Sequence, residues 1–387
     1  MGSILSATLT VTSRQAFYPP TITTALSVWC VRVLGTMPNL EGEMVAYRWF
    51  PGAKTLTKAK VAIPEPADDE VLVKVLAAGM CHSDMLYYDV AFEHTRTEPF
   101  TMGHEGAGVV IALGKHVPSS FPDVHVNQYV VIHGRNPCLS TTCPVCSTNA
   151  DNLCTQYYPH GLGIDGCYAP YVTVAARAVV PVNATEDIIP PPLAAVSTDA
   201  VLTSYHALKD LRVGEIVLVV GVGGLGINAV QIAKYVRNAK VVIASDTRDI
   251  MLRKALEVGA DYAVKPHELQ HLLSSNNLSI DTACDFVGSA TSFRSVLEHV
   301  RSRGTIIVVG LGEVVVELPL VSAAKKEVTI KTSMWGTKKE LAEVLALVKD
   351  KKITPLTETK PLDQAIEVFE NMRLSKLQGR VVLIPEQ

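Results

Sequence analysis

The sequence predicts an α/β protein of two domains, a β-rich one followed by a doubly wound parallel sheet. Three observations carry this expectation. At 387 residues the chain is longer than a single hydrophobic core usually organises. From Met44 to about Asp199, short β-branched runs alternate with Pro, Gly and Asn turns. From about Ala200 onwards, strand-like runs alternate with helical patterns, the signature of parallel crossover units.

The elements follow in order. Val45 to Trp49 is the first strand, then Val71 to Leu76, Gly108 to Ala112, Tyr129 to Ile132 and Tyr171 to Val174. In the second half the strands are Ile216 to Val220, Lys240 to Ser245, Ala283 to Val287 and Thr305 to Val309. Met251 to Val258 is a helix that Gly259 stops, Leu341 to Asp350 is a further helix, and Arg380 to Ile384 is a closing strand. The uncharged run Ile216 to Ala233 is long enough to suggest a membrane span. Its glycines and its change from a β-branched run to a helical period make it strand, turn and buried helix instead.

The first 36 residues hold eleven Ser or Thr, Arg14 and Arg32, and no acid. That composition suggests a mitochondrial transit peptide, a disordered leader, or a start placed too far upstream. Hydrophobic residues at 48% and charged residues at 19% exclude general disorder. A net charge of −3 gives no electrostatic reason for a nucleic-acid or membrane partner.

Gly221-Val-Gly223-Gly224-Leu225-Gly226 follows a strand and opens a helix. In that context the first glycine permits a tight turn, the second lets backbone approach a pyrophosphate, and Gly226 allows close helix packing. Asp246, twenty residues past Gly226 at the end of the next strand, suits both ribose hydroxyls of a dinucleotide. Its charge repels a 2′-phosphate, which favours NAD over NADP, although Arg248 is placed to pair with such a phosphate. A merely structural glycine turn is the bland alternative.

Cys138, Cys143, Cys146 and Cys154 fall within 17 residues, separated by four, two and seven. Four thiolates on short loops close a tetrahedral, structural zinc site in a reducing compartment; four unrelated free thiols are the alternative. A second constellation is Cys81-His82-Ser83-Asp84 with Gly103-His104-Glu105-Gly106. Beside a dinucleotide site, it suggests an open, catalytic zinc.

These motifs, together with Gly379-Arg380, make the sequence resemble the zinc-containing alcohol dehydrogenases of the medium-chain dehydrogenase/reductase superfamily, from about Met44 to the C-terminus. The resemblance implies a GroES-like catalytic domain (44–200), a Rossmann NAD(P)-binding domain (201–336) and a C-terminal return to the catalytic domain (337–387), after a leader (1–43). It implies Cys81 and His104 as catalytic zinc ligands, with Asp84 holding the His104 ring and Glu105 behind the metal. Ser83 would take the alcohol proton, while His82 and Arg380 would face the cofactor pyrophosphate. The family's third ligand is usually a cysteine six residues before the aromatic of a Tyr-x-Ala-Leu helix. Here that helix is Tyr205-His206-Ala207-Leu208 and the residue is Asp199, as in some secondary-alcohol dehydrogenases. Asp is an ordinary Zn²⁺ ligand; a helix N-cap is its plainer alternative. Cys167 is the reserve ligand.

The sequence departs from the family at three places. Leu86 replaces a relay histidine, the first cysteine pair is more widely spaced, and Asn127-Gln128 replaces a Gly-Asp turn. The expected function is a zinc-dependent alcohol dehydrogenase using NAD, with NADP as the other dinucleotide, two zincs per chain and a small alcohol, aldehyde or ketone as substrate. The alternatives are an NADPH-linked carbonyl or enone reductase, a polyol dehydrogenase, or a non-catalytic relative. A cytoplasmic homodimer or homotetramer is expected, mitochondrial if the leader is a transit peptide.

Overall fold

The computed structural model describes residues 42–88 and 96–386. The Ser/Thr-rich leader, with Arg14 and Arg32, lies outside the described residues.

Six parallel strands form one sheet in the order Tyr262–Val264, Val241–Ser245, Ile216–Val220, Ile280–Asp285, Val300–Val308, Thr329–Thr332. Val217 to Val220 are buried, so this central strand reads as a continuous apolar run, as a sheet covered on both faces requires. The chain passes from it to Val241–Ser245 on one side and later to Ile280–Asp285 on the other. That reversal opens a crevice at the C-terminal ends of the strands, where ligands of doubly wound sheets bind.

The other large sheet contains Glu70–Met80, Glu105–Leu113, Tyr129–Ile132 and Val179–Pro181, with Tyr171–Ala175 also paired to Glu70–Met80. The chain's last two strands, Thr357–Pro361 and Arg380–Ile384, complete its far edge. Val381 pairs with Met80 and Glu105 pairs with Gly79. These two registers bring residues 80–81, 104–105 and 380 to one end of the sheet. A small sheet of Thr57–Ala62, Glu43–Trp49 and Phe100–Thr101 lies apart from this path.

Several boundaries differ from those the sequence suggests. The helix expected at Leu341 to Asp350 is Lys338–Lys349. Thr337 starts it: its Oγ1 accepts from the Glu340 N–H at 3.1 Å, and the Glu340 carboxylate accepts from the Thr337 N–H at 2.8 Å. The strand expected at Ala283 to Val287 ends at Asp285, whose Oδ1 accepts from the N–H groups of Val287 and Gly288 and turns the chain. One helical segment runs through Pro191–Val196, Ser197–Val201 and Leu202–Ala207, so the boundary expected at 200/201 falls inside it. Its middle part is a π turn. Such single-turn insertions shift the side-chain register of a helix and are frequent at functional sites.

Among the described residues no helix is long and apolar enough to cross a membrane. The run Ile216 to Ala233 is the central strand, the glycine turn and the buried helical segment that starts at Gly226.

Candidate active site and metal centres

Four donor side chains meet where the strand ends converge. Cys81 follows Glu70–Met80, His104 immediately precedes the neighbouring strand that Glu105 opens, and Asp199 comes from the π turn. All four are buried, and their ligand atoms lie within 4.8 Å of one another. Cys81 Sγ is 3.3 Å from Asp199 Oδ2, and His104 Nε2 is 3.7 Å from the same oxygen. Asp199 sits inside the π turn, not at a helix start, which removes the N-cap alternative. Cys167 lies apart from this set; it packs against Gly106 and Ile132 in the core, where burial pushes its thiol up to about 12.

Each donor is fixed from behind. His104 Nδ1 donates to Asp84 Oδ1 at 3.0 Å. The other Asp84 oxygen accepts from the Cys81 N–H at 3.0 Å and from the Tyr168 hydroxyl at 2.6 Å. Thr203 donates to Asp199 Oδ1 at 2.7 Å. The close approach of Glu105 to the neighbouring strand requires glycine opposite it, because a Cβ on Gly79 would lie 1.8 Å from Glu105 Oε2. Ser83 Oγ is 3.7 Å from Cys81 Sγ, half-buried at the edge of the cluster.

Arg380 is buried beside this set. Its Nη2 lies 2.9 Å from Glu105 Oε1 and 3.3 Å from Asp199 Oδ2, and Nη1 donates to the Met80 carbonyl. Burial opposes ionisation of Asp199, but His104, Arg380 and Thr203 hold it well below the usual carboxylate range. Burial pushes Glu105 well up, reinforced by the charges of Asp199 and Cys81 and opposed by Arg380. Burial also opposes a proton on His104, yet Asp84 and Asp199 outweigh it and raise its affinity for one. Thiol, imidazole and carboxylate packed this closely are the donor set of a zinc site, and buried anionic groups need a cation. The residues fit a divalent metal.

The glycine turn follows the central strand. Gly221 has φ 82° and a Cβ on Gly226 would lie 2.0 Å from the Gly221 carbonyl oxygen, so both places need glycine. Leu225 precedes the helical segment that begins at Gly226. A Cβ on Gly223 would meet only Arg248 within 4 Å, and one on Gly224 would first meet Arg380, at 3.3 Å. This leaves a cradle lined by backbone and cations, which suits a pyrophosphate. His82 is exposed beside it; partial burial and the charges of Arg380 and Arg248 lower its pKa. Asp246 Oδ2 accepts from the Val222 N–H at 2.9 Å, tying the acid to the turn. Arg248 pairs with both Asp246 oxygens, at 3.0 and 3.2 Å.

Cys138, Cys143, Cys146 and Cys154 also converge, their sulfurs within 4.8 Å of one another. Backbone N–H groups of Cys146 and Val145 draw the Cys143 thiol down to about 7, whereas burial and its neighbours push Cys146 up to about 12. Four thiols gathered this closely match the donor set of a structural zinc site.

The chain matches the family model of the alcohol dehydrogenase GroES-like domain over residues 67–184 and that of the zinc-binding dehydrogenases over residues 224–350. It is 32% identical over 337 residues to an alcohol dehydrogenase of Geobacillus stearothermophilus, covering 85% of this chain and 96% of that one. The chain belongs to the zinc-containing alcohol dehydrogenase family. Its two large sheets are the family's GroES-like and Rossmann domains. Among solved structures it resembles the acetophenone reductase of Geotrichum candidum in complex with NAD, at 33% identity and TM-score 0.79, covering 90% of this chain and 98% of that one. It also resembles the cobalt- and zinc-bound alcohol dehydrogenase of Pyrobaculum aerophilum, at 25% identity and TM-score 0.77, covering 89% and 100%.

Three residues around the candidate metal site escape sequence reasoning. Thr203 stands one helical turn after Asp199, a spacing that makes it findable. Tyr168 and Trp335 reach the site from distant segments, and no local signal marks either.

Proposed function

We infer that this chain is a zinc- and NAD-dependent alcohol dehydrogenase, interconverting a primary or secondary alcohol with its aldehyde or ketone. The observation that carries this reading is the buried Cys81, His104 and Asp199 set with Ser83 at its edge and the glycine turn nearby. Cys81, His104 and Asp199 would hold the catalytic metal, with Glu105 behind it. Bound there, zinc supplies Lewis acidity toward the substrate oxygen, and NAD supplies the hydride acceptor.

The chain's own residues do the rest. Ser83 Oγ takes the alcohol proton at the half-buried edge of the cluster. Leu86 has no titratable group, so Ser83 would pass its own proton on through water or, with cofactor bound, a ribose hydroxyl. Asp84 holds one nitrogen of His104 and so aims the other into the donor set. Arg380 would add positive charge, and His82 an imidazole N–H, where the pyrophosphate approaches the turn. Asp246 would accept ribose hydroxyls and so favour NAD, and Arg248, paired with it, is the group that would meet a 2′-phosphate.

The cysteine lobe would hold a second, structural zinc, two per chain in all, and its reduced thiols suit the cytosol. We further place the chain in a homo-oligomer. Val314, Val315, Leu320 and Val321 are 69–76% exposed, an apolar run of the kind that contacts between subunits cover.

The experiment is NADH formation on a panel of alcohols, for the wild type and Ser83→Ala at equal metal content. Turnover by the wild type and a fall in kcat of about 10²–10⁴-fold in the variant are expected. Cofactor binding with no turnover on any alcohol would overturn the reading.

A further inference from the structure

Trp335 lies between Thr329–Thr332 and Lys338–Lys349, with its backbone in the left-handed region at φ 52°. A bulky residue is rarely held there, and where it is, the surroundings must over-determine it. Trp335 is 7% exposed. Its Nε1 donates to the carbonyl of Thr198 at 3.0 Å, the residue before Asp199 in the π turn. Its ring meets the His104 imidazole edge-on, with centroids 5.4 Å apart and planes at 72°. Gly134 makes the room: a Cβ there would lie 2.6 Å from Trp335 Cζ2 and 2.8 Å from the His104 carbonyl oxygen.

The flanks of Trp335 are pinned as well. Asn152 Nδ2 donates to the Met334 carbonyl at 2.8 Å, and the Lys338 N–H donates to Asp151 Oδ2 at 3.0 Å. His133 Nε2 donates to the Gly336 carbonyl at 2.9 Å. Asp151 and Asn152 belong to the cysteine lobe, between Cys146 and Cys154. The indole therefore stands between a lobe that anchors its backbone and two segments that carry donors of the candidate catalytic metal.

We propose that Trp335 is a positioning residue for the Cys81, His104 and Asp199 set, holding the His104 ring and the π turn in one arrangement across the junction with the Rossmann domain. The proposal rests on the metal-site reading above. Groups that orient metal ligands from behind slow metal loss and sharpen coordination geometry.

The test uses the full chain with cobalt(II) at the catalytic site, in the wild type, Trp335→Phe and Trp335→Ala. Phe keeps a ring against His104 but loses the Nε1 donor; Ala loses both. Metal release to a chelator and the cobalt d–d band are recorded, beside kcat, KM and the far-UV circular dichroism spectrum. For Ala, release about tenfold faster or more, a shifted band and a kcat loss larger than the KM change are expected, with Phe between Ala and wild type. Release and band unchanged in a folded Phe or Ala variant would overturn the proposal. If Ala does not fold, the Phe variant decides by the same criteria. Cobalt failing to bind the wild type at this site would defeat the metal-site reading itself, a different result from unchanged release.

Discussion

Asp246 carries four hydrogen bonds on two oxygens: from the N–H groups of Val222 and Arg248 and twice from the Arg248 guanidinium. Its charge is what a 2′-phosphate would meet, and Arg248 is the group that would move to meet that phosphate. Asp246→Asn keeps an acceptor for Val222 while removing the charge. The ratio of kcat/KM for NAD over NADP should fall by about tenfold or more, the scale of one charge-assisted contact. An unchanged ratio would show that the cofactor is chosen elsewhere. This carboxylate and the glycines before it are legible in the sequence, because strand, turn and acid follow at a fixed spacing, and Cys81, His104 and Asp199 are legible as candidate ligands through the family resemblance. Tyr168 and Trp335 are not, because an ordinary aromatic acquires its role only from the fold that carries it to His104 and Asp84.

At the scale of elements, the helical segment Pro191–Val196 to Leu202–Ala207 does two jobs. Its π turn presents Asp199, and its last turn docks on the helix Lys338–Lys349 through His206 and Glu340, 2.7 Å apart. The sequence offers a helix here only at Tyr205-His206-Ala207-Leu208, through the family resemblance, and the π turn has no local mark, since one inserted residue leaves the apolar pattern on either side nearly intact. Lys338 and Lys339 add nothing to the apolar period, and only the reciprocal Thr337–Glu340 cap places the start before them. Burial opposes ionisation of Glu340, yet His206 and the Thr337 N–H hold its pKa at about 2, below the ordinary 4.5. A carboxylate depressed on folding stabilises the protein above its unfolded pKa, and that contribution is lost as pH falls through the folded one. Glu340→Gln should therefore be less stable than wild type at neutral pH. The gap in urea unfolding should close as pH falls from about 4.5 towards 2. A gap of constant size across that range would mean that the charge contributes nothing.

For the whole molecule, the alternation of strands and helices after Ala200 made the parallel sheet legible, and the irregular β texture before it made a second domain legible. What the local pattern could not convey is the return of the C-terminal strands, because Arg380 reaches Met80 only through long-range pairing. The exposed run around Val315 belongs to this scale as well. In the homo-oligomer proposed above, Val315→Asp should shift the population to smaller species in sedimentation velocity, whereas an unaltered distribution would contradict a subunit contact on this face.

Asp199 decides whether the catalytic metal has its third ligand. The most direct measurement is metal content per chain in the wild type and in Asp199→Ala, read together with alcohol-dependent NADH formation. About two zincs falling to about one, with activity lost and the fold intact, is the predicted result. A variant that keeps the wild-type metal content and turns over alcohol would show that Asp199 does not complete the site.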